Sequence, residues 1–307
     1  MPSTVTVRPL IGIAALAVSG LLLAGCTGGG DTAAPSESQA PAPETDVTAD
    51  DTLHSMLPAE VQESGSVVVG TEAGYAPYEY MDADGSTIIG LDIDLLDAVT
   101  ARLGIEYQLE NVAFDTLLPS LDADRFDLVV AGMTDTVERQ ANYDFVDYFN
   151  ADQAIMVPAG NPENIDSLLD LCGKPVSVLV DSTQQTILET ASVECPDPIE
   201  ILTQATDSDA LLQVQQGRTV AMLTQEATGR YNAEQIGGGS AFEVANQESI
   251  DPAPLGYVFK KGDDELVAAF QAALQSLLED GTYEEILGAY ELEGSALDEI
   301  TVNGADE

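Results

Sequence analysis

Arg139 is one of only nine Lys or Arg residues in a chain that carries 54 Asp or Glu. It stands eight residues past Leu128-Val-Val-Ala131, a short apolar run that reads as the end of a buried strand. A guanidinium is planar and always charged, and it can hold a carboxylate through two parallel hydrogen bonds. Gly132, Thr134 and Thr136 precede it and can offer backbone N–H groups and hydroxyls to the same anion. The chemistry this suggests is capture of a small carboxylate. The competing reading is a surface Arg paired with one of its many acidic neighbours.

Positioning such a group takes a scaffold of buried strands, and the chain from Ser66 to Leu292 supplies the pattern for one. Val67-Val-Val-Gly70 is short, β-branched and closed by Gly, which suits a parallel strand. Leu95, Leu96, Val99 and Leu103 then line one face of a helix spanning 92–103. Strand-like runs follow at 106–109, 126–131, 154–157, 176–180, 199–202, 220–223 and 255–259, with helical patterns at 114–121, 184–191, 207–216 and 263–278 between them. Gly281 reads as the stop after the last helix. This alternation predicts an α/β protein with parallel-type sheets and helices on both faces. About 230 residues are enough for two modest lobes.

The N-terminus bears on location. The apolar run from Leu10 to Ala24 is shorter than the roughly 20 residues a helix needs to cross a bilayer, but it suits a secretion signal over 1–25. Leu23-Ala-Gly-Cys26 has the pattern of a lipobox, which predicts a lipid on Cys26 and a membrane anchor. Residues 26–65 are acidic and rich in Gly, Ala, Pro and Ser, and they read as a disordered tether. Residues 293–307 read as an acidic tail. Outside the cytoplasm disulfides persist, so Cys172 and Cys195 are expected to pair, with two free thiols as the alternative. With no further thiol in the mature chain and a single His, His54, placed in the tether, no metal site is expected. No cofactor is expected either. A net charge of −45 argues against nucleic acid as a partner.

Five ordered motifs resemble the family-3 extracellular solute-binding proteins, the amino-acid-type receptors of ABC importers. They are Val69-Gly-Thr-Glu-Ala-Gly-Tyr-Ala-Pro-Tyr-Glu79, Ile89-Gly-Leu-Asp-Ile-Asp-Leu95, Phe114-Asp-Thr-Leu-Leu-Pro-Ser-Leu121, the Arg139 segment, and Asp280-Gly-Thr-Tyr-Glu-Glu-Ile286. The resemblance implies a two-lobed periplasmic-binding-protein fold of type II, with two crossing hinge segments. Lobe 1 would span 66–152 and 254–292, and lobe 2 would span 153–253. It makes Arg139 the partner of a ligand α-carboxylate, helped by Gly132 and Thr134. Tyr75 and Phe114 match positions that pack on the ligand, where ordinary core packing is the alternative. Glu72 matches an acidic position that contacts a polar or basic end. Ser182, Thr183 and Gln184 match the lobe 2 loop that donates N–H groups to the carboxylate.

One departure concerns Gln225, which stands where the family commonly has an Asp that neutralises the α-ammonium. The resemblance leaves that role to Glu226 or Glu72, or implies a ligand other than a standard α-amino acid. Asp152 also stands where a small residue is usual. The function implied is capture of a small polar solute, an amino acid or related carboxylate, by a monomer that delivers it to an ABC permease in the membrane. A dehydratase-type enzyme and a ligand-sensing domain on the same scaffold are the alternatives. The first would need Glu72 or Glu226 as general acid.

Overall fold

The computed structural model describes residues 47–305, so the signal segment, Cys26 and the first part of the tether lie outside the described residues. Two five-stranded sheets form the body. The first runs in the order Glu106–Asn111, Ser66–Thr71, Leu128–Val129, Ala253–Lys260, Tyr143–Ala151. The second runs Glu200–Gln204, Pro175–Leu179, Ala221–Gln225, Gln153–Pro158, Phe242–Val244. In each sheet the first three strands are mutually parallel, the fourth is antiparallel to both its neighbours, and the fifth therefore runs in the direction of the first three. The expectation of parallel-type sheets therefore holds in direction for four strands of five, with one reversed strand in each sheet. The antiparallel pairs arise where the chain passes from one sheet to the other and back.

Helices cover both faces of each sheet. In the first, Leu91–Leu103, Asp264–Asp280 and Thr282–Ala289 bury Leu95, Leu96, Phe270, Leu274 and Ile286 on one side. Leu117, Leu121 and Phe126 fill the other. In the second, Leu188 of the helix Thr183–Val193 packs with Val176, Val178 and Leu223, while Ala210, Leu211 and Val214 of Asp207–Gln215 pack with Met222 on the opposite face. The apolar stripes of these helices are what fix them there.

The strand Tyr143–Ala151 of the first sheet continues through Asp152 into Gln153–Pro158 of the second, and residues 245–252 lead back to Ala253–Lys260. Asp152 ties the two crossings together. Its carboxylate accepts the N–H groups of Gln153 and Ile250, each at 2.7 Å, and its carbonyl accepts the Glu226 N–H at 2.8 Å. A small apolar residue could not hold both strands this way, which accounts for an Asp at this place.

One expectation is corrected, and one point left open by the sequence is answered. The segment from residue 47 to 65, read as tether, is folded. Leu57 and Val61 are buried against lobe 1, the Asp50 N–H reaches the Arg102 carbonyl at 2.9 Å, and the His54 Nδ1 lies 2.8 Å from the Leu103 carbonyl. Leu53, Leu57 and Val61 recur every fourth residue, a stripe that the acidic composition around it conceals. The tail after Leu292 is also anchored. Ile300 is buried, Val302 bridges to Val146, and Gly304 N–H donates to Asp147 at 2.8 Å, so this strap runs along the outer edge of the first sheet.

Cys172 and Cys195 are bonded, with Cα atoms 5.4 Å apart, and close a loop between the turn Leu168–Leu171 and the end of the helix Thr183–Val193. For a sequence separation of 23, the loop entropy removed from the unfolded chain amounts to about 3 kcal/mol. A Cys172→Ser/Cys195→Ser variant is therefore expected to lose about that much stability in urea melts. A loss under about 1 kcal/mol would mean that the cross-link does not restrict the unfolded state.

Candidate functional site

The candidate residues meet where strand ends of the two lobes face each other. Arg139 sits on a one-turn helix, Val137–Gln140, whose cap is Thr136: its hydroxyl accepts the Arg139 N–H at 3.2 Å. The guanidinium donates to the Thr134 carbonyl at 2.8 Å within lobe 1 and to the Asp181 carbonyl at 3.2 Å in lobe 2. Burial pushes its pKa down to about 10, so it stays charged at neutral pH. It makes no ion pair among the described residues, which answers the surface-pair reading.

Thr134 is held by a bridge to Leu255, and the next residue's N–H binds the Pro254 carbonyl at 2.8 Å. Its hydroxyl lies 3.1 Å from that of Thr183 across the cleft. Thr183 opens the helix Thr183–Val193, with Ser182 as the cap accepting the Gln185 N–H at 3.2 Å. A cationic group, two hydroxyls and a helix N-terminus thus converge from both lobes, an arrangement suited to an anion.

Beside this lies Gly132, at φ +50°, where a side chain would be strained and its Cβ would sit 3.1 Å from the Tyr75 ring. Its N–H donates to Asp92 at 2.9 Å, and Asp92 also takes the Tyr148 hydroxyl at 2.7 Å. Tyr75 is buried and stacks on Tyr78 at 5.6 Å. Gln225, from lobe 2, donates its amide to the Gly132 carbonyl at 2.9 Å, and its N–H meets the Tyr75 hydroxyl at 3.3 Å. Gln225 therefore bridges the lobes. Glu226 is engaged with Arg230 one turn on, so it does not replace the missing Asp.

The remaining expected residues are placed differently. Gln184 is buried and its amide is committed to Gln153 at 2.8 Å. Phe114 is half-buried against the cluster of Leu117, Leu121 and Phe126. Glu72 is buried next to the Gly74 N–H, and burial raises its pKa to about 7. Sequence reasoning missed Asp92, which positions Gly132, and Asp207, which accepts the Thr224 hydroxyl at 2.9 Å and has its pKa raised to about 7, chiefly by burial. Each lies in the first turn of a helix, where acids are ordinarily solvated, so the sequence carries no signal of their burial.

A profile of bacterial extracellular solute-binding proteins, family 3, matches residues 67–293. The chain belongs to this family. The arginine-binding protein ArgT of Corynebacterium glutamicum is 29% identical over 256 residues, covering 82% of each chain. The arginine-binding extracellular protein ArtP of Bacillus subtilis is 31% identical over 229 residues, covering 73% of this chain and 86% of its own. Among solved structures, an ancestral arginine-binding protein bound to arginine aligns with a TM-score of 0.69 at 32% identity, over 74% of this chain and 98% of that one. The two-lobed fold of this solute-binding protein is thus the one its relatives use.

For a solute-binding protein, the loop at Gly132 is a sensitive point. Gly132→Ala is expected to destabilise the fold by about 1–2 kcal/mol, from strain and the Tyr75 contact. It should also weaken ligand binding by about tenfold or more through displacement of Thr134. Paired melting and titration would check this; unchanged affinity would show that the loop geometry does not matter to the ligand.

Proposed function

We propose that this protein captures a free amino acid outside the cytoplasm and delivers it to an ABC permease, held at the membrane by a lipid on Cys26 and acting as a monomer. The observation that carries the reading is the guanidinium of Arg139, charged, without a carboxylate partner, and facing the Ser182–Thr183 helix start of the other lobe. A ligand carboxylate there contacts both lobes at once, so its binding energy favours the closed form. The relatives named above as arginine-binding proteins support the same reading. It is a reading of binding and not catalysis, which the relatives described as binding proteins support.

The test is isothermal titration of residues 47–305 with free amino acids and with the amines made from them by loss of the carboxyl group. Submicromolar binding of at least one amino acid, with its amine inert, is the expected result. If the amines bind as well as the acids, the carboxylate is not what Arg139 recognises. Loss of amino-acid uptake by cells carrying Cys26→Ala would check the anchor and the permease together.

A further inference from the structure

The strap lies beyond residues 67–293, the part of the chain that matches the family profile. Its start is fixed by the helix Asp264–Asp280, where the Gln271 amide donates to the Ile300 carbonyl at 3.0 Å and Gln275 accepts the Ile300 N–H at 3.1 Å. From there it follows the strand Tyr143–Ala151. The Thr301 carbonyl accepts the Asp147 N–H at 2.9 Å, and Asn303 both donates to the Phe145 carbonyl and accepts the Phe145 N–H, each at 2.9 Å.

The end of the strap closes over two buried carboxyls. Asp147 Oδ2 accepts the Thr301 hydroxyl at 2.9 Å and the Gly304 N–H at 2.8 Å. Asp135 Oδ2 accepts the Ala305 N–H at 3.1 Å and the Gln140 amide at 2.9 Å. The other oxygen of each has no donor from any other group, and the two carboxyls are in hydrogen-bonding contact with each other. Two carboxylates sharing a buried place do not both ionise readily, whereas one proton held between them serves both. Burial, and then the charge of Asp135, keep that proton on Asp147 to about pH 7. The charged groups around the pair are Asp144 of the same strand, which is held by Lys261, and Glu138 and Arg139 of the loop. Strap residues 301–305 carry no charged side chain. Asp135 adjoins Thr134 in the chain and Gln140 adjoins Arg139, so the strap, the acid pair and the ligand loop share one set of bonds.

We propose that strap residues 301–305 and the Asp135–Asp147 pair position the Arg139 loop, so that the proton shared beneath the strap sets how firmly the loop grips a ligand carboxylate. With the proton in place, the two acids draw strap and loop together. Once it leaves, like charges repel beneath them, the strap lifts, and Thr134 and Arg139 lose their alignment with the Ser182–Thr183 helix start. Asp135 and Asp147 are positioning residues, acting through Thr134, Gln140 and the strap. The inference rests on the reading of Arg139 as the carboxylate grip.

The probes are arginine and glutamine, titrated by calorimetry from pH 5.5 to 8.5. Glu72 and Asp207 also titrate near 7, so the quantity read is the difference between proteins. Asp147→Asn puts an amide N–H where the shared proton lies and keeps an oxygen for Thr301 and Gly304. It is expected to bind about fivefold more tightly than wild type at pH 8.5, with the gap closing at pH 5.5. Gly304→Ala brings a Cβ to 2.6 Å from Asp147 and 2.5 Å from Thr301, so the strap must lift. It should weaken binding about fivefold or more at pH 5.5. Parallel pH profiles for wild type and Asp147→Asn would overturn the proposal and leave the amino-acid reading standing, as would a Gly304→Ala variant that binds within about twofold of wild type. If Asp147→Asn does not fold, Gly304→Ala carries the test. If neither probe nor any other free amino acid binds, the Arg139 reading falls and amide hydrogen exchange decides this one. Faster exchange of residues 134–140 in Gly304→Ala supports the hold of the strap on the loop, and unchanged exchange overturns it.

Discussion

Arg139→Ala is expected to abolish ligand binding while leaving a folded protein. The guanidinium is the one described cation that spans both lobes, and its removal leaves a ligand carboxylate buried without its counter-charge. Breaking a buried pair from one side costs roughly 3–5 kcal/mol, which is more than about 100-fold in Kd. The protein itself loses two hydrogen bonds, to the carbonyls of Thr134 and Asp181, so its melting temperature should fall by a few degrees at most. Arg139→Lys keeps the charge but not the planar fork, and an intermediate loss is expected. Titration calorimetry on the three proteins separates these cases. An alanine variant that binds within about threefold of wild type would remove Arg139 from the site.

The second large effect is on stability against pH. Glu72, Asp147 and Asp207 are each raised to about 7, in every case chiefly by burial, and for Asp147 next by the charge of Asp135. The unfolded chain gives up these protons from about pH 4, whereas the folded protein keeps them to about pH 7. The folded state therefore binds more protons throughout that window, and stability falls as pH rises through it. A carboxyl moved from 3.8 to about 7 contributes roughly 4 kcal/mol to that fall. Asp50, Asp84 and Asp170, held low by backbone N–H groups, act in the opposite sense and only below about pH 4. Surface repulsion at a net charge of −45 has the same sign as the buried effect but is screened by salt. Melting temperatures from pH 4.5 to 8 in 1 M NaCl should thus still decline toward pH 8, and Asp147→Asn should flatten the decline. A maximum near pH 8 in that salt would show that these carboxyls are not held neutral.

Much of the architecture was legible because it is written in apolar periodicity. The helix at 263–278 shows a stripe of Leu266, Phe270, Leu274 and Leu277, and the structure places it at Asp264–Asp280 with those residues buried. Residues 47–65 misled because composition was weighed over a long window, and the three apolar positions that dock them are a small share of it. Strand direction after the crossings was not legible, since neither periodicity nor turn residues encode it. In the cleft, Arg139 stood out through its rarity in an acidic chain. The acids did not, because 54 carboxylates look alike until burial distinguishes Asp207 and Asp92 from their solvated neighbours. Gln225 was recognised as a departure, but its bridge to Gly132 required the closed geometry.

The C-terminal strap has a practical bearing on how this protein can be instrumented. Ala305 donates its N–H to Asp135 at 3.1 Å and receives the Gln140 amide at 3.3 Å, and these partners are the chain neighbours of Thr134 and Arg139. A dye coupled at residue 305 would sit within a few side chains of the cleft mouth, and an environment-sensitive one would report lobe closure as a change in emission. A bulky affinity handle fused at the same point would instead crowd the approach of the solute, so purification tags belong at the other end of the folded body.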